Sequence, residues 1–522
     1  MIYRSPYPDV QIPEMPLTPF VLRKAQELAT KPALIDGPTG RTLTYGQLAG
    51  AIRLVASSLH KRGFGKGDVF AIYSPNLPEY AIAFHAVASL GGIVTTANPL
   101  YTAAELAHQL KDANAKYLLT IPLFLENAKE AAAEAGIEEI FVFGEAEGAT
   151  PFASLLQGDG VVPEVEINPR EDVVALPYSS GTTGLPKGVM LTHYNLVSNI
   201  CQTEGIEVIR DTDVLVGVLP FYHIYGMMVI LNASLYHGAT VVTMPRFDLE
   251  MFLELIQKYK ISRMHLVPPI LLALAKHPMV DKYDLSSVRM IISGAAPLGE
   301  ELATAVRERL GCLVKQGYGM TETSPVTHVN PDDPDKIKVA SVGPLVPNTE
   351  ARIVDPATGQ DLGPNERGEL WVRGPQVMKG YLNRPDATTQ TIDSEGWLHT
   401  GDVAYVDEDG YFYVVDRVKE LIKYKGYQVA PAELEAVLLS HPAVADAAVI
   451  PVPDEEAGEI PKAFIVKKAD VTAEEIMAYV AKHVAPYKKV REVEFVESIP
   501  KSPSGKILRR VLVEQERMKR EQ

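Results

Sequence analysis

At 522 residues the chain is too long for one compact core, so two or more domains are expected. Its 46% hydrophobic and 22% charged residues are those of a globular protein and exclude a disordered one. A formal charge of −16 repels nucleic acid, and two isolated cysteines, Cys201 and Cys312, exclude a disulfide framework and a cysteine-rich zinc site.

The first sixteen residues are proline-rich and lack an apolar signal region, so no secretory leader is expected. Nowhere does an apolar run approach the ~18 residues of a membrane-spanning helix. The last three residues are not the serine-lysine-leucine peroxisomal address, which leaves the cytoplasm as the expected compartment. Thr44 and Gln47 form a capping box ahead of an apolar stripe at Leu48, Ile52, Val55 and Leu59, which predicts a helix. Strands are predicted at Val69–Tyr73, Val173–Leu176, Val214–Leu219, Thr240–Met244 and Met290–Ile292, with helices between them such as Leu249–Tyr259. This alternation predicts α/β architecture: a large N-terminal domain of several parts, with largely parallel, helix-covered sheets.

A boundary is expected near Asp416-Arg417-Val418-Lys419, after a strand at Tyr411–Val415 entered through the turn at 407–410. Beyond it, Pro431 opens a helix that His441-Pro442 stops after Ser440. Strands at Ala447–Val452 and Ala463–Lys467 and a helix at Ala473–His483 complete a small α+β domain. The division is therefore 1–416 and 417–522.

The segment from Tyr178 to Gly188 carries the most chemistry. Ser179, Ser180, Thr182 and Thr183 supply hydroxyls, Gly181 and Gly184 let backbone N–H groups approach an anion, and Lys187 adds a charge. It is not the Walker pattern, because Lys187 is followed by glycine. This segment resembles the signature loop of the adenylate-forming superfamily of acyl-CoA synthetases, adenylation domains and firefly luciferase. Gln316–Glu322, Gly396–Asp402, Asp416–Gln428 and Pro503–Lys506 match the same family in order, from about residue 30 to 510.

The resemblance implies an enzyme that joins a carboxylic acid to AMP and passes the acyl group to a thiol. Ser179–Lys187 would hold the β- and γ-phosphates of ATP. Glu322 would help hold Mg²⁺, which favours carboxylate and phosphate oxygens, and Thr321 would contact the α-phosphate. Gln316, Gly317 and Tyr318 would line the adenine site, and Asp402 and Arg417 would hold the ribose. Lys506 would serve adenylation. Lys423, with Gln428, would serve the thioester step after the small domain turns about a hinge at Lys419.

For the acid, the segment Phe221–Gly226 resembles the one that places a histidine, here His223, at the pocket mouth. Tyr222, Tyr225, Val229, Gly294, Ala295, Ala296, Gly317, Pro325 and Val326 match other lining positions. Arg246, Lys425 and Gly426 match contacts to coenzyme A. The overall likeness is to the 4-coumarate:CoA ligase group, which implies a hydroxycinnamate-like aryl acid. Val229 departs from the hydroxyl residue expected there, so a medium- or long-chain fatty acid stays open, as does a luciferase-like or carrier-loading enzyme. Trp371 and Trp397 lie far in sequence from the acid-pocket segments, so no tryptophan gate is expected. No attached carrier fits after residue 510, so loading of a carrier in cis is not expected. Oligomeric state is not legible.

Overall fold

The computed structural model describes residues 1–179, 186–425, 427–454, 456–484, 486–502 and 505–520, without the side chain of Gln428. The described residues build four sheets. In the first, Val69–Ile72 lies between Ile93–Thr96 and Ala115–Thr120, and Val173–Ala175 and Glu139–Val142 extend the parallel run outward. At one end Lys187–Thr192 turns antiparallel, pairing with Val173–Ala175 and with Tyr178–Ser179. The second sheet runs Leu313–Gly319, Met290–Ser293, Arg263–Leu266, Val214–Gly217, Thr240–Thr243 and Pro32–Asp36 in parallel, with antiparallel edges.

Strands such as Val69–Ile72 and Thr240–Thr243 are buried at every residue, because helices cover both faces of a parallel sheet. The helix Tyr45–Lys61 forms as expected: Thr44 and Gln47 close a capping box, and Leu48, Ile52, Val55 and Leu59 are buried. One apolar core joins the two large sheets, running from Leu17 to Tyr381.

The third sheet differs from these two largely parallel ones. It is wholly antiparallel, in the order Tyr3–Arg4, Glu350–Val354, Gly368–Arg373, Leu398–Val406 and Phe412–Arg417. The fourth sheet belongs to the C-terminal part. Ile422–Tyr424 joins the hairpin strand Tyr427–Val429 to Gly458–Lys467, which pairs with Val444–Asp454 and, in parallel, with Glu492–Phe495. Helices Pro431–Ser440 and Ala473–His483 match their expected bounds and close a separate core around Leu434, Leu438, Val449 and Ile476. No helix among the described residues is long and apolar enough to cross a membrane.

Candidate active site

The motifs meet where the sheets converge. Ser179 stands directly across the hairpin from Lys187, so the two strands present the ends of the intervening loop side by side. The loop residues Ser180, Gly181, Thr182, Thr183 and Gly184 lie outside the described residues. The Lys187 ammonium lies 5.5 Å from the centre of the Tyr381 ring. The hydroxyl of Tyr381 donates to Glu322 Oε1 at 2.8 Å, so lysine, phenol and carboxylate form one group. Glu322 is 5% exposed and sits on a single 3₁₀ turn, Thr321–Thr323, with Thr321 half-buried beside it.

Asp402 and Arg417 are cross-strand partners, their Cα positions in register, with Arg417 Nε 3.8 Å from Asp402 Oδ1. The Tyr318 hydroxyl donates to the other oxygen of Asp402. Burial pushes the Asp402 carboxyl up, and Arg417 and the Tyr318 hydroxyl pull it back. Gln316 is buried, and its side-chain amide donates to the carbonyls of Leu298 and Val339, at 3.1 and 2.7 Å. It pins the adjacent segments behind Gly317 and Tyr318.

Lys506 enters this group from the C-terminal part. Ser502 N donates to Lys506 O, and Lys506 N to the Ser502 hydroxyl. Gly505 approaches the large part so closely that a Cβ there would lie 3.3 Å from Pro269 and Val267. Burial lowers the Lys506 pKa and Arg417 lowers it further, while Asp402, Glu322 and Glu420 oppose both. His223 feels the same lysine: burial, then Lys506, bring its pKa down to about 3, so the ring is neutral at ordinary pH.

Of the residues expected to line the acid pocket, Tyr225 opens a π-helical run, Tyr225–Asn232, that also carries Val229. Such runs are often found at functional sites. Tyr225 N donates to His223 Nδ1 at 3.2 Å. Gly294 admits the Tyr225 ring, since a Cβ there would sit 3.0–3.1 Å from its atoms. Gly226 is packed against backbone, with a Cβ only 2.2 Å from the Pro220 carbonyl oxygen. Tyr222, Ala295, Ala296 and Gly317 are half-buried, and Pro325 is buried. Val229 and Val326 line a void of ≈ 10 Å³, about the room one water needs, together with Asn199, Thr203 and Glu207.

Two sequence profiles match the chain. The profile "AMP-binding enzyme" matches residues 21–382, and "AMP-binding enzyme C-terminal domain" matches 433–506. The chain belongs to the AMP-binding enzyme family. This AMP-binding enzyme is 49% identical to 4-coumarate--CoA ligase 1 of Petroselinum crispum, across 98% of its length and 96% of that protein's. It is 47% identical to 4-coumarate--CoA ligase of Pinus taeda, across 98% and 97%. Among solved structures it resembles the anthranilate CoA ligase AuaEII in complex with anthranoyl-AMP, with a TM-score of 0.91, 27% identity and 98% and 99% coverage.

Not every expected residue of this AMP-binding enzyme joins the group. Lys423 is exposed on the small sheet, opposite Gln428 in the hairpin register, and its backbone N–H donates to Glu459 at 2.7 Å. The Gln428 side chain and Gly426 lie outside the described residues. Lys425 pairs with Glu456 at 2.7 Å, while Arg246 and Lys419 are exposed. Among the described residues no cluster of three His, Cys, Asp or Glu side chains could hold a metal, so Glu322 would share any cation with phosphate oxygens.

Tyr381 was not singled out from sequence; its signal was an aromatic in a two-residue strand, Gly380–Tyr381, paired with the strand after the phosphate loop. A buried ion network was also missed. Arg263 grips Asp332 with two nitrogens at 2.7 and 3.1 Å, and Lys315 reaches the same carboxylate at 2.8 Å. Glu207 lies 3.7 Å from both cations and 3.4 Å from His265 Nε2. Those cations and His265 hold the Glu207 carboxyl far below its ordinary value despite burial.

Proposed function

We propose that this protein is an ATP-dependent carboxylic acid:CoA ligase acting on a hydroxycinnamate-like aryl acid. The observation that carries the reading is the convergence of Lys506, Arg417, Asp402, Glu322 and His223 at one place, drawn from segments far apart in the chain. Attack of a carboxylate on the α-phosphorus of ATP brings two anions together, and fixed cations and dipoles make that approach possible. A carboxylate oxygen bonds to the α-phosphorus, the bond to the β-phosphate oxygen breaks, and pyrophosphate leaves with its electrons. The thiolate of CoA then attacks the acyl carbon, and AMP leaves.

In this reading Lys187 and the preceding loop hold the outer phosphates, and Asp402 and Arg417 hold the ribose. Lys506 balances charge where acid and α-phosphate meet. ATP enters as its magnesium complex; the ion would neutralise phosphate charge, and Glu322 is the side chain placed to share it. Lys423 and Gln428 act in the thioester step, with Arg246, Lys425 and Gly426 toward CoA. Residues 1–416 and 417–522 act as two units about Lys419. We place the enzyme in the cytoplasm, in keeping with two separate buried thiols, Cys201 and Cys312, each pushed up to about 11 by burial.

The aryl acid is favoured by the likeness to 4-coumarate--CoA ligases of Petroselinum crispum and Pinus taeda, at 49% and 47% identity over nearly the whole of each chain. The test is ATP–pyrophosphate exchange with purified protein across cinnamic, benzoic and C6–C18 acids, followed by detection of CoA thioesters. Hydroxycinnamates should lead both readouts. Exchange led by C12–C18 acids contradicts the substrate class; AMP release with light, or acyl transfer to a carrier protein alone, contradicts the ligase reading.

A further inference from the structure

We infer that Asp416 and Lys276 are positioning residues that clasp the helix Pro431–Ser440 at its two ends and so hold the small unit in the pose that delivers Lys506. The inference rests on the two-unit reading above. Asp416 precedes the pivot at Lys419, and the helix follows it. At the helix N-terminus, Asp416 Oδ2 accepts from Ala432 N at 2.8 Å. At its C-terminal end, Lys276, the last residue of the helix Pro268–Lys276, donates to the carbonyls of Leu439 and Val444 at 2.8 and 3.0 Å. A carboxyl group at the positive end and an ammonium at the negative end each match the helix dipole. All three bonds run from the large part to the small one, so a turn about Lys419 must break them.

The surroundings of Asp416 fit a bond made in one pose and released in another. Its other oxygen accepts from Arg417 N at 2.8 Å. Around it stand Glu435 and Glu420, both gripped by Arg509 at 2.6 and 2.5 Å. Burial raises the Asp416 carboxyl to about 7; Arg509 and the Ala432 N–H pull down, and Glu435 and Glu420 push up. What the geometry asks of residue 416 is an oxygen that accepts from Ala432 N, which an amide oxygen can also supply. Arg509 lies three residues beyond Lys506, so the same cluster ties the Lys506 turn to the hinge.

Two half-reactions read the effect in the full chain: pyrophosphate exchange for adenylation, and CoA thioester formed from supplied acyl-AMP. Lys276→Met and Asp416→Ala should each slow exchange about threefold to tenfold, the scale of one lost charge–dipole contact. Both should leave thioester formation from acyl-AMP unchanged or faster, and Asp416→Asn should stay near wild type. Lys276→Met keeps the test open should Asp416→Ala fold poorly. Equal loss in both half-reactions, or no loss in exchange, overturns the inference. Failure of wild-type protein to exchange pyrophosphate overturns the parent reading instead.

Discussion

The phenol of Tyr381 links two charged groups of the proposed phosphate site, with its ring near Lys187 and its hydroxyl on Glu322. A hydrogen bond to a charged group contributes about 1.5–3 kcal/mol, and about 1.4 kcal/mol is tenfold in rate. Tyr381→Phe keeps the ring and loses the bond, so kcat/KM for magnesium ATP should fall about tenfold with the acid's KM little changed. A change under about twofold by initial-rate kinetics shows that the bond is idle. His223 gives a pH prediction at the same scale. Its pKa is depressed from 6.5 to about 3, so the stability gained by keeping it neutral is present above 6.5 and is lost as pH falls through about 3. Removing the Lys506 charge should raise the His223 titration, though not to 6.5, because burial is the larger cause. Histidine-selective NMR of Lys506→Met checks this; an unmoved titration means the two groups do not sense each other.

At the scale of elements, the turn from Pro220 into the π-helical run sets where His223 and Tyr225 point. Gly226 has no room for a Cβ against the Pro220 and Leu219 carbonyl oxygens. Gly226→Ala should therefore cost about 1–3 kcal/mol, as overpacking does, and lower pyrophosphate exchange as well, since the displaced backbone carries both side chains. Urea unfolding and exchange assays read the two effects, and wild-type stability would contradict the packing. Elements of this kind were legible where periodicity and caps agreed: Tyr45–Lys61 behind its Thr44 box, and Pro431–Ser440 between Pro431 and His441. The antiparallel sheet was not, because Tyr3–Arg4 pairs with Glu350–Val354 and so short a strand has no local pattern to read. The ion network escaped for a similar reason: Glu207, Arg263, His265, Lys315 and Asp332 lie on separate segments, and each alone reads as a surface charge.

For the whole molecule, residues matched by motif far apart in sequence meet in one site, while Lys423 stands exposed on the small sheet. That partition was legible from the family likeness of the motifs. The pose, with Lys506 buried and Lys423 exposed, was not, because contacts such as Asp416 with Ala432 follow no local pattern. Two lysines with two tasks make a sharp demand on kinetics. The direct measurement is Lys506→Ala assayed in both half-reactions on one protein preparation. Pyrophosphate exchange should be abolished while CoA thioester still forms from supplied acyl-AMP at close to the wild-type rate. Loss of both half-reactions together, or exchange that survives, would contradict the assignment of adenylation to the C-terminal lysine.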